Sequence, residues 1–309
     1  MKPQVICLMA ASVDGRTLPS RWRPKGAAGD LFERVHDELA GDAWLIGRVT
    51  GQEFAKGKPY PVTTKETVPR EPWFARRDAK AYGVVLDAHG EIAWGRSDIG
   101  GDPIVVVLSE AVPDSHLVGR RGEGLSYIFA GKSQLDLALT LDILNRELGV
   151  KRLLLEGGGG ANGAFLRAGL VDELNLVICP AVDGTKGAPS VFDSTEAEAE
   201  QRPPVTAMTL ESSQALEGGA MLLRYRIQNA GPHSVSRYAR PMRGRGRLRV
   251  TNDRITISAQ CPLVSRLQPN RCIAVTVGSG RLSTCQILLS IVPGQPKYGV
   301  DDRIGRRHE

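Results

Sequence analysis

Long apolar runs are missing from this chain. The longest near its start, Val5 to Ala11, gives way at once to Ser12-Val13-Asp14. Nowhere does a stretch approach the ~18–20 apolar residues that a bilayer span requires. We therefore expect no signal peptide, no membrane partner and a soluble, cytoplasmic protein. Cysteine is scarce too: Cys7, Cys179, Cys261, Cys272 and Cys285 are scattered, odd in number and without a Cys-x-x-Cys pair. That spacing excludes a disulfide framework and a zinc cluster, so no metal is expected; Cys7 and Cys179, set in apolar runs, read as small core residues. No His-x-Glu is partnered by Pro-Cys-x-x-Cys, which removes a zinc deaminase module. Neither a Gly-x-Gly-x-x-Gly finger with a distal acid nor a Gly-Lys-Ser/Thr phosphate loop occurs.

The 309 residues carry a net charge of +6, but the charge is unevenly placed. Residues 1–230 hold 26 Lys/Arg against 30 Asp/Glu, a balance of −4, while residues 231–309 hold 14 against 4, a balance of +10. The body thus gives no charge argument for nucleic acid. The basic end crowds Arg237, Arg240, Arg243, Arg245, Arg247 and Arg249 together with only Tyr238 as a nearby aromatic. We divide the chain into a body, 1–229, and an Arg-rich extension, 230–309. The extension reads as poorly structured or non-native, as from a shifted reading frame, ahead of a nucleic-acid arm, which would interleave aromatic residues.

Within the body, strand-like and helix-like patterns alternate. Val5 to Ala11, Ala43 to Gly47, Tyr82 to Asp87, Ile104 to Leu108, Leu125 to Phe129, Arg152 to Glu156 and Glu173 to Cys179 read as strands. Ala28 to Ala40 and Leu135 to Leu148 have helical spacing. Val205 to Glu211 and Ala220 to Ile227 flank Gly218-Gly219 and read as an antiparallel pair. Alternation of this kind predicts an α/β fold, a mixed and mostly parallel sheet flanked by helices.

Four segments carry chemistry. Leu153-Leu154-Leu155-Glu156 runs into Gly157, Gly158, Gly159 and Gly160, then Ala161 and Asn162. That is a buried strand, a turn without side chains and a helix start, an arrangement suited to a phosphate. Glu156 falls at the strand's carboxyl end, where ligands of such sheets gather. Ser12-Val13-Asp14-Gly15-Arg16 closes the first strand with a turn. Gly47-Arg48-Val49-Thr50 offers a guanidinium fork, and Thr50 either caps a helix or binds a phosphate oxygen. Asp172 and Glu173 open a strand that we place at the sheet edge, in a structural role.

Together, Ala11-Ser12-Val13-Asp14-Gly15-Arg16-Thr17, Asp42 to Thr50, Val85-Leu86-Asp87, Leu154 to Gly159 and Leu170 to Leu174 resemble the reductase domain of riboflavin biosynthesis, a family with the dihydrofolate-reductase fold. The resemblance runs from about Pro3 to Ile227. It implies an NADPH-dependent reductase of the 5-amino-6-(5-phosphoribosylamino)uracil type, acting as a homodimer paired through its late strands. It implies that Thr50 and Gly158 to Asn162 contact the cofactor's phosphates and that Arg48 meets the 2′-phosphate. Ser12, Asp14 and Glu156 would face nicotinamide and substrate, with Asp14, Glu156 or an ordered water as candidate proton donor. Apart from the resemblance, Arg16, Arg21, Arg23 and Lys25 are candidates to supply positive charge for the substrate. Two departures stand out. Glu38 lies near where phosphoribosyl-binding members have arginine, and Gln52-Glu53-Phe54-Ala55 replaces an Asp-Asn-Pro stretch. The alternatives these leave are reduction of another pterin-like or nitrogen heterocycle, or nucleotide binding without catalysis.

Overall fold

A computed structural model describes residues 2–230 and, in the extension, 249–251, 254–256, 273–276 and 288–291. The chain divides into two compact units, Met1–Tyr238 and Ala239–Glu309. The first holds strands β1 (Gln4–Ser12), β2 (Ala43–Ile46), β3 (Tyr82–Leu86), β4 (Asp98–Ile99), β5 (Asp102–Leu108), β6 (Ser126–Phe129), β7 (Arg152–Leu155), β8 (Glu173–Cys179), β9 (Val205–Ala215) and β10 (Met221–Asn229). Its helices are α1 (Leu31–Leu39), α2 (Arg48–Phe54), α3 (Asp114–Gly122), α4 (Leu137–Leu148) and α5 (Gly159–Arg167). The second unit shows two antiparallel strand pairs, Arg249–Thr251 with Arg254–Thr256 and Ile273–Thr276 with Leu288–Ile291. The rest of the extension, with most of the arginine cluster, lies outside the described residues.

The ten strands form one sheet in the order β4-β5-β3-β2-β7-β1-β8-β10-β9, with β6 beside β5. From β5 to β8 the neighbours are parallel, and β10 and β9 add an antiparallel border. The centre is sequence-driven. Ile104-Val105-Val106-Val107 is β-branched throughout and buried on both faces, as a strand covered on two sides must be. One face packs Leu31, Val35 and Leu39 of α1 and Leu117 of α3 against Ile6, Leu8, Ile46 and Leu154. The other packs Leu141 and Leu144 of α4 and Phe165 of α5 against Val5, Cys7, Leu153 and Leu155. Cys7 and Cys179 are buried core residues, as their apolar setting predicts.

Several boundaries differ from the sequence reading. Helix α1 begins at Leu31 rather than Ala28, because Gly26 and Gly29 adopt positive φ and hold the chain in turns. The preceding Asp136 accepts the Leu139 amide at 2.9 Å, so α4 starts at Leu137 and not Leu135. Thr50 lies inside α2; the cap position belongs to Gly47. Strand β8 is not at the sheet edge but between β1 and β10; β9 is the border. Asp172 does serve structure, accepting the Val5 amide at 2.9 Å and pairing with Lys2 at 2.9 Å.

A buried ion pair fixes the segment after β3. Asp87 and Arg120 are both fully buried, 3.3 Å apart. Asp87 also accepts the amides of Glu91 at 2.9 Å and Ile92 at 3.0 Å, and the guanidinium lies 4.8 Å from the Tyr60 ring centroid. Removing one partner of such a pair strands the other charge away from water. Arg120→Ala should destabilise the body by about 3–5 kcal/mol, read as a lowered urea midpoint.

Candidate functional site

The carboxyl ends of β2 and β7 meet more closely than side chains would allow. A Cβ on Gly157 would lie 2.1 Å from the Ile46 Cα and 2.5 Å from the Gly47 nitrogen. A Cβ on Gly47 would lie 3.2 Å from that of Ala161. This contact brings Thr50 over the second turn, 3.3 Å from where a Gly158 Cβ would stand. Gly158 has φ +47° and ψ 144°, a conformation that belongs to glycine. Gly159 and Gly160 already form the first turn of α5. Beside Gly160 there is open space, whereas Gly159 is covered by the chain at 190–193, with the Asp193 amide bonded to its carbonyl at 2.8 Å.

A cleft of about 480 Å³ opens beside these turns. Helix α1 contributes Phe32, Glu33, His36 and Asp37; β2 and α2 contribute Trp44, Ile46, Thr50 and Phe54; the β4–β5 hairpin contributes Ile99, Gly100 and Asp102; Glu156 follows directly on β7. Four carboxylates and one imidazole line it, and no lysine or arginine does. The Trp44 indole donates to Asp102 at 2.8 Å and rests where only Gly83 leaves room, since a Cβ there would be 2.7 Å from the ring.

Glu156 and His36 are the cleft's central pair. Glu156 Oε1 is 2.7 Å from His36 Nδ1, and the carboxylate is only 7% exposed. Burial pushes the Glu156 carboxyl above its ordinary range, against the opposing pull of His36. The hydrogen bond to Glu156 raises His36 in turn, with Asp37 and Asp102 adding to the rise. Both groups are shifted toward their protonated forms, which makes the pair a candidate for taking up a shared proton. Among the described residues the second carboxylate oxygen of Glu156 has no hydrogen-bond partner. Sequence reasoning found Glu156 and missed His36. A signal existed: Phe32, Glu33, His36 and Asp37 follow i, i+1, i+4, i+5 spacing, a second stripe beside the Leu31–Val35–Leu39 core stripe.

The remaining sequence-predicted residues lie elsewhere. Ser12, Asp14 and Arg16 do not line the cleft; they close the far end of β1. Asp14 accepts from the Ser12 hydroxyl at 2.6 Å and from the amides of Gly184 at 2.8 Å and Asp183 at 3.1 Å. These bonds hold its carboxyl well below the usual carboxylate range, the Ser12 hydroxyl contributing most. Arg16 donates to the Ala188 carbonyl at 3.1 Å. Arg21 pairs with Asp183 at 3.0 Å, and Arg23 donates to the Trp22 carbonyl at 2.7 Å. Asn162 is buried and donates to the Val191 carbonyl at 3.0 Å, so its side chain secures the covering segment. Arg48 is half exposed and pairs with Glu91. Glu38 lies 3.7 Å from Arg224 and is not among the cleft residues. Among the described residues no cluster of metal-ligating side chains occurs, and no helix is long and apolar enough to cross a membrane.

Residues 3–222 match the RibD C-terminal domain, and the chain belongs to that family, the reductases of riboflavin biosynthesis. It is an oxidoreductase, and the family's chemistry calls for a nicotinamide cofactor. Two relatives are named 2,5-diamino-6-ribosylamino-4(3H)-pyrimidinone 5′-phosphate reductase. The protein of Methanothermobacter thermautotrophicus is 35% identical over 195 residues, 62% of this chain and 85% of its own. That of Archaeoglobus fulgidus is 23% identical over 196 residues, 62% and 87%. The fold is shared with a pyrimidine reductase-like protein of Corynebacterium diphtheriae, with a TM-score of 0.55, 19% identity and coverage of 74% of this chain and 93% of that one. It is shared also with Acinetobacter baumannii RibD, with a TM-score of 0.50, 19% identity and coverage of 74% and 58%. The dihydrofolate-reductase-like architecture expected from the motifs is the one found.

The glycine geometry makes an asymmetric prediction. Gly158→Ala should cost about 1–3 kcal/mol through backbone strain. Gly160→Ala meets open space in a helix and should leave stability unchanged or raise it by about 0.5–1 kcal/mol. Thermal denaturation of the two variants checks this.

Proposed function

We propose that this chain uses NADPH to reduce a phosphorylated ribosylaminopyrimidine that still carries its 2-amino group. The observation that carries the reading is the cleft lined by Glu33, Asp37 and Asp102, with no lysine or arginine and with the His36–Glu156 pair at its centre. Carboxylates accept hydrogen bonds and cannot donate them when ionised. An amino-bearing pyrimidine offers donors to that lining. A uracil edge, with a carbonyl in place of the amine, would set oxygen against carboxylate. The names of the relatives above agree with the amino-bearing substrate. The residues also fit a dinucleotide: the Gly158 turn presents backbone without side chain, Thr50 lies against it, and Arg48 stands two residues before Thr50 on the exposed first turn of α2. A preference for NADPH over NADH follows from Arg48, whose fork matches a 2′-phosphate.

When bound, a reduced nicotinamide supplies a hydride to C1′ of the ring-opened ribose. The chain's own task is to place the substrate and to deliver a proton to the adjoining nitrogen. The His36–Glu156 pair is the source we assign, through the unpartnered oxygen of Glu156. Asp14, held ionised by its donors, orients the turn after β1 and the 183–190 segment and is not the donor. Trp44, fixed by Asp102, and Phe32 form apolar walls for a heterocycle. The exposed Met208 and Leu210 of the border strand β9 support a homodimer through β9 and β10. Asn229 donates to the Val171 carbonyl at 2.9 Å and Ala230 to that of Pro204 at 2.7 Å, so the body reaches at least residue 230.

The test is NADPH oxidation, followed by absorbance, with 2,5-diamino-6-ribosylamino-4(3H)-pyrimidinone 5′-phosphate and with its uracil counterpart. A hydrogen bond to a charged group should favour the first by about 10–100-fold in kcat/KM. Asp37→Asn should narrow that ratio. Equal turnover of both would refute the substrate assignment.

The proton assignment has a pH signature. The pair carries its proton below its raised pKa and loses it above, so kcat should fall on the alkaline side, centred above the ordinary histidine value of about 6.5. Glu156→Gln should lower kcat by about 100-fold or more while leaving NADPH affinity within about twofold. A chain ending at Asn229 should retain NADPH binding and turnover; an insoluble or inactive product would move the boundary.

A further inference from the structure

One exposed ion pair joins Arg48 to Glu91, a residue with no part in the chemistry above. Arg48 Nη1 is 3.2 Å from Glu91 Oε2, the two side chains being 48% and 53% exposed. Among the described residues Arg48 has no other ion-pair or hydrogen-bond partner through its side chain. Arg48 follows directly on Gly47, whose backbone abuts the Gly157 turn, and stands two residues before Thr50. Glu91 comes from the next strand end, since β3 pairs with β2 and the chain turns after Leu86.

The two partners are not equally free. Glu91 is presented by a frame. Its amide is bonded to the buried Asp87, Gly90 turns at φ +67°, and Asp87 is held by the buried Arg120, which also donates to the His116 carbonyl at 3.1 Å. Arg48 projects from the exposed first turn of α2. An exposed pair of this kind is weak, so a phosphomonoester of charge near −2 can draw the guanidinium away from a single carboxylate. The carboxylate stays behind on its frame and faces the arriving phosphate. With an unphosphorylated ribose the same carboxylate is an acceptor for a hydroxyl.

We propose that Glu91 sets how strongly this site discriminates between dinucleotides with and without a 2′-phosphate, by competing for Arg48. The inference rests on the reading that a nicotinamide dinucleotide lies across the turns after β2 and β7. Glu91 tempers the NADPH preference that Arg48 alone would confer.

The experiment is calorimetric titration of the full-length wild type, Glu91→Gln and Glu91→Asp with NADPH and with NADH, with thermal melting to verify folding. Glu91→Gln should tighten NADPH by about fivefold and leave NADH unchanged or weaker. Glu91→Asp keeps the charge on a shorter stem and should give a smaller change in the same direction. The gain for NADPH should shrink at about 1 M salt, where surface charges are screened. If both cofactors bind and their affinity ratio is the same in wild type and Glu91→Gln, the competition is refuted while the cofactor reading stands. If the folded wild type binds neither dinucleotide, the cofactor reading fails and this inference fails with it.

Discussion

The close approach of Gly157 to the Ile46–Gly47 backbone is the constraint on which the site depends. A methyl group at Gly157 would need to occupy a position 2.1 Å from a backbone carbon. Two parallel strand ends can come this near only where side chains are absent, and their loops then rise on opposite sides of one seam. On one side Thr50 leans over Gly158; on the other α5 begins. The cleft exists because α1 and the β4–β5 hairpin wall this seam. The chain from 181 to 193 links the turn after β1, through Asp14 and Arg16, to the start of α5, through Asn162 and Gly159.

Within that frame, burial and pairing oppose each other at Glu156. Desolvation raises its carboxyl, and His36 pulls it back. The same contact, strengthened by the field of Asp37 and Asp102, raises the imidazole. Asp14 shows the opposite outcome for the same residue class: three donors converge on an exposed carboxylate and fix it as an anion. Two carboxylates at the ends of neighbouring strands are therefore suited to different tasks, one holding a proton and the other holding a loop.

Much of this was legible in the sequence where periodicity is strong. The β-branched run at Ile104–Val107, the α1 stripe and the glycines after Glu156 each follow from local rules that tertiary packing reinforces. What escaped had weak local signals. Helix α2 has only Gly51 buried, with Val49 exposed, so no apolar stripe announces it. Helix α3 buries Leu117 but also Arg120, a residue whose burial makes sense only once Asp87 arrives from β3. His36 gains its role from Glu156, 120 residues away in the chain. The placement of β8 inside the sheet depended on which strand β10 would choose. Pairing and charge compensation across long sequence separations lie beyond a pattern read along one chain.

The proposed proton delivery rests on the coupling of His36 to Glu156 in the cleft. Nitrogen NMR of labelled His36, followed through a pH titration in wild type and in Glu156→Gln, tests it most directly. A His36 coupled to Glu156 should titrate above the ordinary value of about 6.5 in wild type and fall toward it in the variant. An imidazole that titrates at the ordinary value in both proteins would contradict it.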